Sequence, residues 1–304
     1  MSQLPAELQR EIFETAARND RSTIPTLLLV ARHVHAWIEP LLFHVVINMN
    51  VGQRTALRSL MQTRPPDFFR RGVRHLWLDE SAEWSSTETL ALLSLCPLIR
   101  SFAFRLGLSP EGVLPILDTF QHLRYLDGFL ELIFGSRQGI DLGRPFFQRL
   151  THLSLFDVID KTLCSGLATL PALTHLALQT TTSFRFTSRL LRTCTSLRVL
   201  VKIAEDLEDA EIELKVIHRF GLEDPRLVLI VVRDPFDEYG LDREVGALGG
   251  KNMWVIADDF VARKGSGEME KSHYIVEQPL WDQYFLEWGP FDTVWEPFDI
   301  AWGV

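Results

Sequence analysis

A chain of 304 residues with 46% hydrophobic content can hold one large domain or two to three small ones around a real core. Three scattered cysteines (Cys96, Cys164, Cys194) exclude a disulfide framework, no apolar run has the length of a membrane span, and Pro5 and Glu7 precede any apolar run of a secretory signal, so a cytoplasmic or nuclear location is expected. The net charge of −9 is uneven: residues 205–304 hold 9 Lys/Arg against 23 Asp/Glu, leaving 22 against 17 in residues 1–204, which argues against nucleic acid as the main ligand and suits an acidic or phosphorylated partner for the mildly basic part.

The first predicted element is a helix opened by Pro5, which suits a first turn because its missing N–H is not needed there. Leu4, Leu8, Ile12 and Ala16 recur every four residues and mark one face, widened by Phe13. Asn19-Asp20-Arg21-Ser22 is a polar break, with Thr23 as the expected N-cap and Pro25 just inside a second helix that is almost wholly apolar. A third segment over residues 34–43 carries Trp37, Ile38, Leu41 and Leu42, with Pro40 expected to bend or restart it. Three short helices cannot bury this much apolar surface by themselves, so part of it must pack on a partner or on the rest of the chain.

Leu4-Pro5, Glu7-Leu8, Ile12 and the run Val30-Ala31-Arg32-His33-Val34 resemble the F-box family over roughly residues 4–43. Val34 stands where that family has a Trp, and Trp37 follows three residues later. The wording of residues 27–43 is similar to fungal F-box-like proteins. The resemblance implies a helical plug that docks onto a Skp-type adaptor of a cullin ubiquitin ligase, with Leu4, Pro5, Leu8, Ile12 and Val30 in the adaptor's apolar groove. The alternative is an N-terminal cap on the following repeats that binds nothing.

An apolar-x-x-apolar-x-apolar pattern then recurs, starting at Val73, Ile99, Leu123, Leu150, Leu173, Leu197 and Leu227, at intervals of 26, 24, 27, 23, 24 and 30 residues. These periods match leucine-rich repeats, each unit running helix, tight turn, strand. Helices are expected over residues 90–95, 163–170 and around Leu190-Leu191. The sixth slot departs from pattern at Gly128 and Lys202, and no Asn follows the strands at Ser81, Val158 or Thr181, so the turns must satisfy their backbone in another way. The expected fold class is α/β: a short three-helix segment (residues 1–45), an irregular leucine-rich-repeat solenoid (residues 46–233) with its parallel sheet on the concave side and helices on the convex side, and a C-terminal α/β cap with an acidic-aromatic tail (residues 234–304).

That register assigns solvent-facing columns. The second slot holds Arg74, Arg100, Arg124, Thr151, Thr174 and Arg198; the third holds His75, Ser101, Tyr125, His152, His175 and Val199; the fifth includes Trp77, Asp127 and Ser154. Arg74, Trp77, Arg100, Arg124, Tyr125, His152 and His175 combine cationic and aromatic groups suited to holding a target protein. A solvated rim neutralised by Asp79 and Asp127 is the competing reading.

Beyond residue 232, a turn at Asp234-Pro235-Phe236-Asp237, a short helix over residues 242–248 ended by Gly249-Gly250, a strand at Trp254-Val255-Ile256 and a mobile loop over residues 263–267 are expected. Trp281, Trp288, Trp295 and Trp302 recur every seven residues, but Pro290 and Pro297 forbid one continuous helix. A strap under the last repeat, an acidic-aromatic docking peptide and a disordered tail all fit that pattern.

Catalytic signatures are near misses. Gly249-Gly250-Lys251-Asn252 lacks the first Gly and the final Ser/Thr of a phosphate loop and is expected to precede a strand. His33 and His35 point to different sides of a helix, and His152 and His175 have no evident third ligand. No catalytic residue, metal or cofactor is expected. The sequence points to a substrate receptor that brings a target to a ligase-bound ubiquitin carrier and works by proximity. Its alternative is a repeat scaffold for protein interactions without adaptor binding.

Overall fold

The structure, a computed structural model, describes residues 4–48, 50–232 and 237–276. Three helices come first: α1 (Ala6–Asn19), α2 (Ile24–Leu28) and α3 (Arg32–Leu42). Strands and helices then alternate: β1 (Val45–Asn48), α4 (Val51–Thr63), α5 (Pro66–Gly72), β2 (His75–Asp79), α6 (Ser86–Leu95), β3 (Ser101–Arg105), α7 (Pro110–Asp118), β4 (Tyr125–Gly128), α8 (Leu130–Phe134), β5 (His152–Leu155), α9 (Lys161–Leu167), β6 (His175–Gln179), α10 (Phe184–Thr193), β7 (Val199–Ala204), α11 (Leu207–Arg219) and β8 (Leu227–Val231). Two helices, α12 (Asp237–Ala247) and α13 (Met253–Ser266), precede the short strand β9 (Ile275–Val276).

Among the described residues, nine parallel strands lie in chain order from β1 to β9, a solenoid-like stacking in which each crossover returns to the neighbouring place. The sheet extends one strand beyond the sequence repeats at each end. In β1 three successive apolar residues hide the period, and β9 is two residues long. Register follows the slots through β7: His75, Ser101, Tyr125, His152, His175 and Val199 stand side by side, as do Trp77, Ala103, Asp127, Ser154, Ala177 and Val201. In β8 it departs from expectation, since Leu227 pairs with Leu200 of the fourth slot and Ile230 lies on the opposite face.

Alternation along each strand divides the core. Leu76, Leu78, Phe102, Phe104, Leu126, Leu153, Leu176 and Leu200 face the crossover helices in the larger cluster. Trp77, Ala103, Ala177, Val201, Val228 and Ile230 point to the opposite face, where Met253, Trp254, Ala257 and Phe260 of α13 cover them. Strand side chains expected in solvent are therefore partly roofed by the C-terminal helices.

Turn chemistry replaces the missing Asn. Asp79 accepts from the Ser81 amide, Asp160 from Leu163 at 2.8 Å and Asp206 from Asp209 at 2.8 Å. Ser85 and Glu88 form a capping box at the start of α6. Asp157 accepts from the amides of Leu130 (2.6 Å) and Glu131 (3.0 Å), and burial raises its pKa. Gly128 has φ +146°, and a Cβ there would lie 2.4 Å from the Phe104 carbonyl oxygen, so the slot is empty because the neighbouring backbone fills it. Lys202 is buried on the helix side. It donates to the carbonyls of Thr180 (3.1 Å) and Thr182 (2.6 Å) and pairs with Glu213 of α11 at 3.0 Å.

Several local expectations change. Leu4 precedes α1 and Pro5 is its N-cap residue, so Leu8, Ile12 and Ala16 of the named stripe lie on the helix and Leu4 does not. Thr23 has helical dihedrals and makes no side-chain cap; Asp20 organises the turn by accepting from the Ser22 amide at 2.9 Å and hydroxyl at 2.6 Å. Pro40 sits inside the last turn of α3 without restarting it. Trp254-Val255-Ile256 is helical, since Met253, Trp254, Ala257 and Phe260 form one apolar face and Asn252 caps the Val255 amide at 3.2 Å. Residues 263–267 are the end of α13 and its Gly267 cap (φ +81°), with Lys264 buried over Tyr274 and donating to the Leu227 carbonyl at 3.0 Å. The tail tryptophans lie outside the described residues.

Candidate docking surfaces

The N-terminal helices have a small core of their own. Ala17, Ile24, Val34 and Ile38 are buried, with Phe13, Leu27, Leu28, Trp37 and Leu41 packed around them. Val34 therefore fills an interior position, while Trp37 is half-buried with its ring 4.9 Å from His33. The unit joins the sheet through α3 and α5: a Cβ on Gly72 would lie 2.9 Å from the Pro40 carbonyl oxygen, and Arg64 pairs with Glu39 at 2.6 Å.

Away from this core the apolar side chains stay in solvent. Leu4 is 53% exposed, Leu8 46%, Ile12 54%, Val30 53% and Leu29 80%, and Pro5 is exposed as well. Sequence reasoning named all of these except Leu29, whose place in an unbroken apolar run hides which side is outward.

The second candidate surface is the strand face. Its third column is a ladder of rings: Tyr125 stacks on His152 at 4.1 Å, and His152 on His175 at 4.1 Å and 7°. Trp254 closes over both histidines edge-on, 5.2 Å from His152 and 5.8 Å from His175. Burial drives the His152 pKa down to about 3, helped by His175. His75 also falls to about 3, through burial first and then His44 and the nearby arginines. Burial lowers His175 too, opposed by Asp258, whose carboxylate accepts from Nε2 at 3.2 Å.

Trp77 does not face solvent. It is 2% exposed, with the guanidinium of Arg243 4.6 Å and that of Arg105 5.8 Å from its ring, while Arg243 pairs with Asp127. His175 is likewise buried. The reason for both is the covering layer of α12 and α13, which the expected strand at 254–256 concealed. Arg243, Trp254 and Asp258 were missed as partners of the column, although the helical spacing of Met253, Trp254, Ala257 and Phe260 carried the signal.

Arg100 and Tyr125 are exposed, whereas Arg74 and Arg124 are half-buried. Arg74 donates to the carbonyls of Arg70 (3.0 Å) and Val73 (2.8 Å), and Arg124 to those of Gln121 (3.1 Å) and Leu123 (2.9 Å). These two guanidinium groups tie off the turns before their strands and present the rest of their charge outward.

Among the described residues no group of three or more His, Cys, Asp or Glu is placed to hold a metal, and no helix is long and apolar enough to cross a membrane. The three thiols are buried, Cys96 with its pKa pushed up to about 12 by desolvation. The 249–252 segment precedes a helix, contrary to expectation, but its helix-start amides are taken: Met253 N–H donates to Asp242 at 2.6 Å and Val255 N–H to Asn252. A cavity of about 140 Å³ lies at the strand ends between Phe156, Thr180, Ile203 and Asp209. No protein-family model matches the chain, and a search of curated proteins finds no match.

Proposed function

We propose that this protein is an F-box-like substrate-recognition subunit of a cullin-type ubiquitin ligase, which holds a Skp-type adaptor with its N-terminal helices and a target protein with its repeat-like body. One observation carries the reading. Leu4, Leu8, Ile12, Leu29 and Val30 are solvent-exposed on a unit whose fold is already secured by Ala17, Ile24, Val34 and Ile38. Fully covering one such side chain is worth about 1.5–3 kcal/mol, so a set of five left uncovered favours a partner groove. The second half of the role is supported by the packing of the helical unit against one end of the sheet through α3 and α5. Proximity of target to carrier then does the work.

The test is binding of the full chain to a purified Skp-type adaptor. Leu8→Asp places a charge in the apolar contact and is expected to weaken binding by about a hundredfold, with an unchanged circular dichroism spectrum, because Leu8 is outside the helical core. No binding by the unaltered chain favours the interaction scaffold. Binding that survives Leu8→Asp rejects this docking face.

A further inference from the structure

A parallel sheet puts every strand start on one edge and every strand end on the other, and here the two edges differ in charge. The segments that lead into β2 to β7 and along these strands, residues 68–78, 95–104, 119–126, 145–155, 169–178 and 192–200, contain no Asp or Glu. They carry Arg70, Arg71, Arg74, Arg100, Arg124, Arg149, Arg192 and Arg198. The opposite edge carries Asp79, Glu80, Asp127, Asp157, Asp160, Glu205, Asp206 and Asp209. Helix dipoles explain the sign of the division, since strand ends run into helix starts, where acids cap, and strand starts follow helix ends, where bases do.

The dipole does not account for the accumulation. Arg70 and Arg100 are exposed, and Arg198 is 70% exposed at 3.9 Å from Asp258. Burial first and then the Arg100 charge lower the Arg74 pKa, so these two guanidinium groups stand close enough to repel; both also act on the neutral His75, after burial and His44. Tyr125, 37% exposed and stacked on His152, offers an aromatic platform one residue along the strands from the row of Arg100 and Arg124.

From this geometry we infer that the strand-start rim, with Arg70, Arg74, Arg100, Tyr125 and Arg124 at its centre, is a docking surface for an extended acidic peptide segment of the target. Carboxylates repeated along an extended chain meet guanidinium groups repeated across strands about 4.8 Å apart. The inference rests on the receptor reading above and specifies its target side. A phosphorylated segment offers the same anionic chemistry with more acceptors.

The probes are fluorescein-labelled twelve-residue peptides of alternating Glu and Gly, the same peptide with phosphoserine for Glu, a Gln-for-Glu control and a single-stranded RNA oligomer, read by anisotropy against the full chain. One or both anionic peptides should bind, the Gln control should not, and about 0.3 M salt should weaken the complex. The tighter of the two identifies the carboxylate or phosphate source. Arg70→Glu with Arg100→Glu should reduce affinity at least about tenfold, while the circular dichroism spectrum and melting temperature stay unchanged and report an intact fold. Equal affinity in the double variant, equal binding of the Gln control, or binding of RNA alone would overturn the inference. Loss of adaptor binding by Leu8→Asp leaves the peptide result untouched, so the two readings fail separately.

Discussion

Two residues break the repeat pattern, and each is explained by its neighbours. Gly128 leaves an apolar slot empty because the Phe104 carbonyl is where its side chain would go. Gly128→Ala should destabilise the fold by about 2–4 kcal/mol in urea titration, combining a positive φ with a backbone clash. Lys202 and Glu213 replace apolar packing with a buried pair. Glu213→Leu strands an ammonium and should lower stability by about 3–5 kcal/mol, whereas Lys202→Met with Glu213→Leu should recover most of the loss. Only the position of Lys202 was legible in the sequence, since its partner lies on another element. Asp242 illustrates the reverse case: it is buried among other charges, and desolvation lifts its pKa to about 7. A raised carboxylate pKa makes the folded state less stable as pH rises from about 4 to 7. Asp242→Asn keeps an acceptor for the Met253 amide, and its stabilising effect should grow across that window and level off above it.

At the scale of elements, what the sequence makes plain is the helix-facing half of the sheet. Leucines at the first, fourth and sixth slots meet one layer of crossovers, and a single period reports them. The other half is less legible because its cover comes from residues 237–266, far along the chain, and because Trp254-Val255-Ile256 taken alone suits a strand. Four more residues, through Phe260, disclose the helical face. The cover has a pH signature. His152, under Trp254, is neutral in the folded protein with a pKa near 3, so its contribution is fully present above about pH 6.5 and is lost as pH falls toward 3. Hydrogen exchange of α13 should accelerate on acidification through that range. His152→Asn should flatten the dependence, whereas an unchanged profile in that variant would remove His152 from the account.

For the whole molecule, the arrangement places two exposed surfaces on different parts of the fold. The helical unit keeps its own core and turns an apolar stripe outward, while the sheet carries a basic rim along one edge and seals the centre of its second face with α12 and α13. On the proposed receptor reading, target recognition belongs at the edge of the strand face and not at its middle, since Trp77 and His175 are buried in internal packing whereas Arg100 and Tyr125 are exposed. The N-terminal stripe was readable because helix spacing and exposure agree over one short segment, and the edge was readable only after the strands had been set side by side. The most direct check is hydrogen–deuterium exchange of the full chain with and without a purified Skp-type adaptor. Slowed exchange confined to α1 and residues 24–30, with α13 unaffected, is the predicted result; unchanged exchange there, or protection falling on the sheet, would contradict it.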